Sequence, residues 1–155
     1  MVGLIKASPE NKDYFTNNAK IYKDKLTALD KSFKEGLSMC QTKTAITSHD
    51  AFNYISKRYN LNLLSISGID PSIEPDVAKL AEISDLVNSQ GIKYIFFESL
   101  ASSKFAETIA NETGAKTSVL DPIGGLSEED QQKGHNYITI QQQNLKNLRT
   151  ALDCK

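Results

Sequence analysis

An α/β fold built on a four-stranded parallel sheet is what this sequence predicts, and three observations carry that expectation. Four short apolar or β-branched runs alternate with longer helical patterns from about residue 42 onward. Helical crossovers of that length force the strands they connect to run parallel, covered on both faces in a three-layer arrangement. The turns Ser67-Gly68-Ile69-Asp70-Pro71 and Asp121-Pro122-Ile123-Gly124-Gly125 are long enough to shape a site at one edge of such a sheet.

The first element is a long helix. Ser8-Pro9-Glu10 predicts its start, because serine caps, proline suits the first helical position and glutamate favours the positive end of the helix dipole. Phe15, Ala19, Tyr22, Leu26, Leu29, Phe33 and Leu37 then recur at steps of three and four, and Gly36 weakens the last turn. That stripe is expected to lie on its own domain rather than on a partner helix. Strands follow at 42–47, 62–67, 93–98 and 116–120, separated by helices at 51–59, 75–89 and 102–112. A last helix starts at about 127 or 134 and runs to 152, carrying Ile138, Leu145, Leu148 and Leu152 inward.

A chain of 155 residues has the size of one domain. Eighteen basic and nineteen acidic residues leave a net charge of -1 with no basic stripe interleaved with aromatics, so neither nucleic acid nor an anionic membrane is an expected partner. No apolar run approaches the roughly 20 residues of a bilayer span. No charged-then-apolar leader opens the sequence, which by itself leaves the compartment open. Cys40 and Cys154 lack metal-site spacing; buried thiols and a bridge both remain possible, and a bridge would indicate an oxidising compartment.

In a parallel sheet the residues just past the strands converge on one edge, and here they are His49-Asp50, Ser67, Glu98-Ser99 and Asp121. One imidazole among several carboxylates suits a divalent metal, with the nitrogen favouring zinc over magnesium or calcium. The same set can serve general acid–base catalysis, as in a small hydrolase or isomerase using His49 with Asp121 or Glu98. Each acid also has a plainer role: Asp50 capping the next helix, Glu98 pairing with a lysine or capping, Asp121 forming a turn before Pro122. Catalytic signatures are absent. Gly124-Gly125 lacks the spacing of a dinucleotide or phosphate loop, and no Gly-x-Ser-x-Gly turn occurs. His135, the only other histidine, lies in the polar segment Gly134-His135-Asn136-Tyr137 and is expected to be solvated.

The order of the residues adds a resemblance. Pro9-Glu10-Asn11-Lys12-Asp13-Tyr14 with Asn17-Asn18-Ala19, then Leu26-Thr27-Ala28-Leu29-Asp30, resembles the end of the long backbone helix in the zinc and manganese solute-binding proteins of ABC transporters. Thr47-Ser48-His49-Asp50-Ala51-Phe52-Asn53-Tyr54, Gly68-Ile69-Asp70-Pro71 with Glu74-Pro75, Ile95-Phe96-Phe97-Glu98, Val119-Leu120-Asp121-Pro122 and the closing Tyr137 with Asn144-Leu145-Lys146-Asn147-Leu148 are similar to that family's later landmarks, in the same order.

The resemblance implies a carboxyl-terminal lobe (39–155) preceded by the end of the inter-lobe helix (1–38), with an amino-terminal lobe supplying two further histidines. It implies a binding protein and no enzyme: an extracytoplasmic or periplasmic receptor that captures zinc with His49 and Asp121 and delivers it to an ABC permease. Family members of the manganese type tend to carry glutamate where His49 stands, so histidine favours zinc while leaving manganese possible. An adhesin-like member of the family is the alternative within it. Glu98 and Asp50 are then expected outside the coordination sphere, orienting a ligand by a hydrogen bond, with Asp50 also available as a helix cap. The secretion that the resemblance implies favours a disulfide between Cys40 and Cys154.

Overall fold

A computed structural model describes residues 1–70 and 72–155. Pro71, quoted above in the loop after the second strand, lies outside the described residues. Twelve elements follow one another: α1 (Val2–Ala7), a 3-10 turn (Pro9–Asn11), α2 (Lys12–Gly36), β1 (Thr44–Thr47), α3 (Asn53–Tyr59), β2 (Asn62–Ser65), α4 (Val77–Gln90), β3 (Tyr94–Phe97), α5 (Lys104–Thr113), β4 (Lys116–Val119), α6 (Glu128–Gln132) and α7 (Tyr137–Ala151). The strands form one parallel sheet in the order β2-β1-β3-β4. The α/β expectation is met.

Alternation along the central strands builds two cores. Ala45 and Phe96 point to one face, where they meet Leu29, Phe33 and Leu37 of the α2 region, Phe52, and Leu148 with Leu152 of the α7 region. Ile46 and Ile95 point to the other, against Ile83 and Val87 of α4 and Ile109 of α5. Period-two side-chain direction in a sheet covered on both sides requires this division. Gly91 and Gly114 end α4 and α5 in the left-handed conformation, the usual stop that leads a helix back into a strand.

The helical amino-terminal region departs from the sequence reading in two ways. Serine, proline and glutamate at 8–10 open a 3-10 turn instead of the α-helix, and a separate α1 precedes them; Ser8 spends its hydroxyl on the Glu10 carboxylate and caps no backbone N–H. The apolar stripe is also covered only at its far end. Leu29, Phe33 and Leu37 are buried, Phe15, Ala19 and Leu26 are half-buried, and Tyr22 is exposed. The domain's own core ends before the first turns of α2.

Where α2 does meet the body, it is held firmly. Asp30 accepts hydrogen bonds from Arg58 Nε (2.6 Å) and Tyr59 Oη (2.9 Å) of α3 and pairs with Lys34 at 2.8 Å. The Arg58 guanidinium, followed by Lys34, holds the Asp30 carboxyl well below the usual carboxylate range. Phe33 stacks on Tyr59 with ring centroids 5.1 Å apart. Gly36 has a packing reason: a Cβ there would lie 3.2 Å from both Leu145 and Arg149 of α7, so glycine permits the close approach.

Cys40 and Cys154 are joined in a disulfide. Around it the segments before β1 and after α7 pair as short antiparallel partners, with Gln41 N donating to Asp153 O and Thr42 N to Leu152 O. The bridge closes a loop spanning 114 positions, which places it near the upper end of the chain-entropy scale. Reducing it is expected to lower unfolding stability by about 4 to 5 kcal/mol, measured as a fall in the urea midpoint with and without reductant; an unchanged midpoint would show that the bridge contributes nothing.

Candidate metal centre

β1 and β3 are neighbours that run the same way, so the segments that leave their carboxyl ends emerge side by side. The turn after β1 is set by Thr47, whose buried hydroxyl donates to His49 O at 3.2 Å, while Ser67 N donates to Ser48 O at 2.9 Å from the β2 side. The His49 ring is thereby held beside the carboxylate that follows β3: Nδ1 donates to Glu98 Oε1, and Ser48 Oγ donates to the same oxygen at 2.6 Å. Both partners are buried, His49 at 9% exposed and Glu98 at 8%.

That bond determines what the imidazole can do. A carboxylate accepts only, so a proton sits on Nδ1, and in the neutral ring Nε2 keeps its lone pair. Histidines that bind metal are commonly presented in this way, with a carboxylate fixing the tautomer and the ring plane. Of the roles considered for Glu98, orienting a ligand is the one the geometry matches; it neither pairs with a lysine nor caps α5, whose N-cap is Ser103.

Asp50 does not cap α3. The helix begins two residues later than its spacing to Asp50 requires, with Phe52 at the N-cap and no side-chain cap bond. Asp50 instead uses its backbone N–H, which donates to Gly68 O at 3.0 Å and ties the loop after β1 to the loop after β2.

Asp121 follows β4, which neighbours β3 on the side away from β1, so it leaves the same edge of the sheet as His49 and Glu98. It is 5% exposed. Its Oδ1 accepts from Ile123 N at 2.6 Å, the turn anticipated before Pro122, and the other carboxylate oxygen has no hydrogen bond among the described residues. Asn144 of α7 binds its backbone on both sides, Nδ2 donating to Asp121 O (2.7 Å) and Oδ1 accepting from Asp121 N (2.9 Å).

A cavity of about 420 Å³ opens beside Asp121 and includes Ser99, Asp130, His135 and Asn144 in its lining. His135 lies in the loop before α7, exposed as expected, and its Nδ1 pairs with Asp130 at 2.8 Å. The Ser127 hydroxyl, and then His135, lower the Asp130 pKa. The structure therefore joins His49 and Glu98 by a hydrogen bond and sets Asp121 along the same edge, hydrogen-bonded to neither. Among the described residues no three His, Cys, Asp or Glu side chains are grouped as a complete metal cage.

Sequence reasoning passed over Ser48 and Asn144. Ser48 carries no signal outside its neighbourhood to His49. Asn144 does carry one, because it occupies a core position of α7 in line with Gln141, Leu148 and Ala151, where an apolar residue belongs.

The family model described as zinc-uptake complex component A, periplasmic, matches residues 2–151. The zinc-binding lipoprotein AdcA of Streptococcus pneumoniae is 45% identical over 145 residues, covering 94% of this chain and 29% of AdcA. The high-affinity zinc uptake system protein ZnuA of Bacillus subtilis is 43% identical over 149 residues, covering 96% of this chain and 47% of that protein. Among solved structures, the Zn(II)-bound ZnuA-like domain of Streptococcus pneumoniae AdcA superposes with a TM-score of 0.82 at 43% identity, over 97% of this chain and 57% of that one. The laminin-binding protein Lmb of Streptococcus agalactiae gives 0.86 at 34% identity, over 97% and 57% respectively. The chain thus spans well under two thirds of each of these proteins.

The Glu98 contact makes a prediction that needs no metal. Nitrogen-15 NMR of the imidazole is expected to show His49 protonated at Nδ1 in the parent chain and a mixture of tautomers in Glu98→Ala; identical spectra would remove Glu98 from the orienting role.

Proposed function

Because the chain belongs to the zinc-uptake complex component A family, we propose that it is the carboxyl-terminal lobe of an extracytoplasmic receptor that captures zinc and delivers it to an ABC permease. The observation that carries this reading is the imidazole of His49, held by Glu98 with Nε2 free, on the same sheet edge as a buried aspartate with an unbonded carboxylate oxygen. A nitrogen and a carboxylate oxygen are donors zinc accepts readily. A tetrahedral zinc needs four donors, and His49 with Asp121 supply two.

The other two belong to a second lobe. The early turns of α2 fit the end of an inter-lobe helix: they run past the domain's own core, leaving Tyr14, Ile21 and Tyr22 exposed, as is Leu4 of the separate α1. The share of each relative that this chain covers supports the same reading. His49 and Asp121 act on zinc as cargo: they bind it by lone-pair donation and release it unchanged, so the site performs no bond-making chemistry. The disulfide fits an oxidising compartment outside the cytoplasm.

Zinc titration against a chromophoric chelator tests the assignment. The isolated chain is expected to bind one zinc weakly, with His49→Ala abolishing binding and Asp121→Asn weakening it by about 10-fold or more. Binding unchanged by His49→Ala, or as tight in this chain as in a two-lobe receptor, would overturn it.

A further inference from the structure

The sheet has an open edge next to the candidate site. β4 pairs with β3 on one side only, through contacts such as Leu120 N donating to Phe97 O at 2.9 Å. In a parallel strand, successive residues turn their backbone groups to opposite sides. Leu120 faces β3, so Val119 and Asp121 direct their N–H and C=O to the side where no strand follows. Buried backbone groups that stay unpaired destabilise the fold.

α7 supplies the partners. Asn147 Nδ2 donates to Val119 O at 2.7 Å, and Asn144, one turn earlier and 1% exposed, pairs with both backbone groups of Asp121 at 2.7 and 2.9 Å. The Asn144 amide offers one donor and one acceptor in the same plane, as the backbone of a neighbouring strand would. A side chain thereby continues the pairing of this edge to Asp121, two residues past the end of β4. α7 is itself fixed at both ends, by the Asn136–Thr139 capping box and by the Cys154–Cys40 bridge just past its carboxyl end.

We propose that Asn144 is the positioning residue for the zinc-binding carboxylate, setting the Asp121 backbone so that its carboxylate stands ready at the site edge before zinc arrives. The proposal rests on the reading of Asp121 as a ligand. Asn147 provides an internal control: it makes a bond of the same kind between the same helix and the same strand, two residues away from the ligand.

The test is a comparison of zinc affinities in this chain, alongside urea midpoints. Asn144→Leu is expected to weaken zinc binding by about 10-fold or more, while Asn147→Leu lowers the urea midpoint and leaves zinc affinity unchanged. In an Asp121→Asn background, Asn144→Leu is expected to cost no further affinity. If Asn144→Leu does not fold, Asn144→Ser is read in its place, because it stays neutral and polar while its shorter side chain no longer spans both backbone groups of Asp121. Parent-like zinc affinity in the Asn144 variant, a loss in Asn147→Leu as large as in Asn144→Leu, or an undiminished loss in the Asp121→Asn background would overturn the proposal. An Asp121→Asn chain that binds zinc as tightly as the parent would overturn the ligand assignment, and the proposal with it.

Discussion

Parallel pairing of β1 with β3 places the residues just beyond Thr47 and Phe97 next to each other, and the His49–Glu98 hydrogen bond follows from that adjacency. With antiparallel neighbours the two side chains would leave opposite edges of the sheet. Helical crossovers enforce the parallel arrangement, so the candidate site is a consequence of the same constraint that gives the fold two apolar faces. Burial then sharpens the chemistry. A carboxylate and an imidazole removed from bulk water have few partners other than each other, which fixes the tautomer and leaves one nitrogen available to a cation.

The second half of the edge depends on a different device. β4 is an edge strand, and beyond its last paired residue the backbone would be left without partners. α7 covers it with two asparagines, and the disulfide ties the segment after α7 to the segment before β1. His49 and Asp121 are therefore referenced to one another through a continuous covalent and hydrogen-bonded frame: β1, the bridge, α7 and the end of β4. For the proposed zinc site such a frame is an advantage, because less ordering is left to be done when the ion binds.

Much of this was legible in the residues. β-branched runs spaced by helical patterns reported the sheet, and strand ends picked out His49, Glu98 and Asp121, because their placement follows from direction alone. What was not legible depended on three-dimensional pairing. Asp50 sits where a cap belongs by spacing, yet α3 starts later because the loop first crosses to Gly68. Ser8-Pro9-Glu10 has the composition of a helix start, but a serine that bonds a neighbouring carboxylate caps nothing. The stripe on α2 reported a helix correctly and its cover in part: Leu29, Phe33 and Leu37 pack on the domain's own core, while Tyr22 stays exposed, since periodicity does not say how far along a helix the cover extends. Asn144 looked like one residue in a family landmark; its role emerges only when the open edge of β4 is seen beside α7.

The central claim is that this lobe contributes one imidazole to a zinc site, and X-ray absorption at the zinc edge reads that directly. With one equivalent of zinc added to the chain, the account predicts a shell of nitrogen and oxygen donors containing a single histidine, which disappears in His49→Ala. A shell of oxygens alone in the parent chain, or one whose histidine survives that substitution, would contradict it.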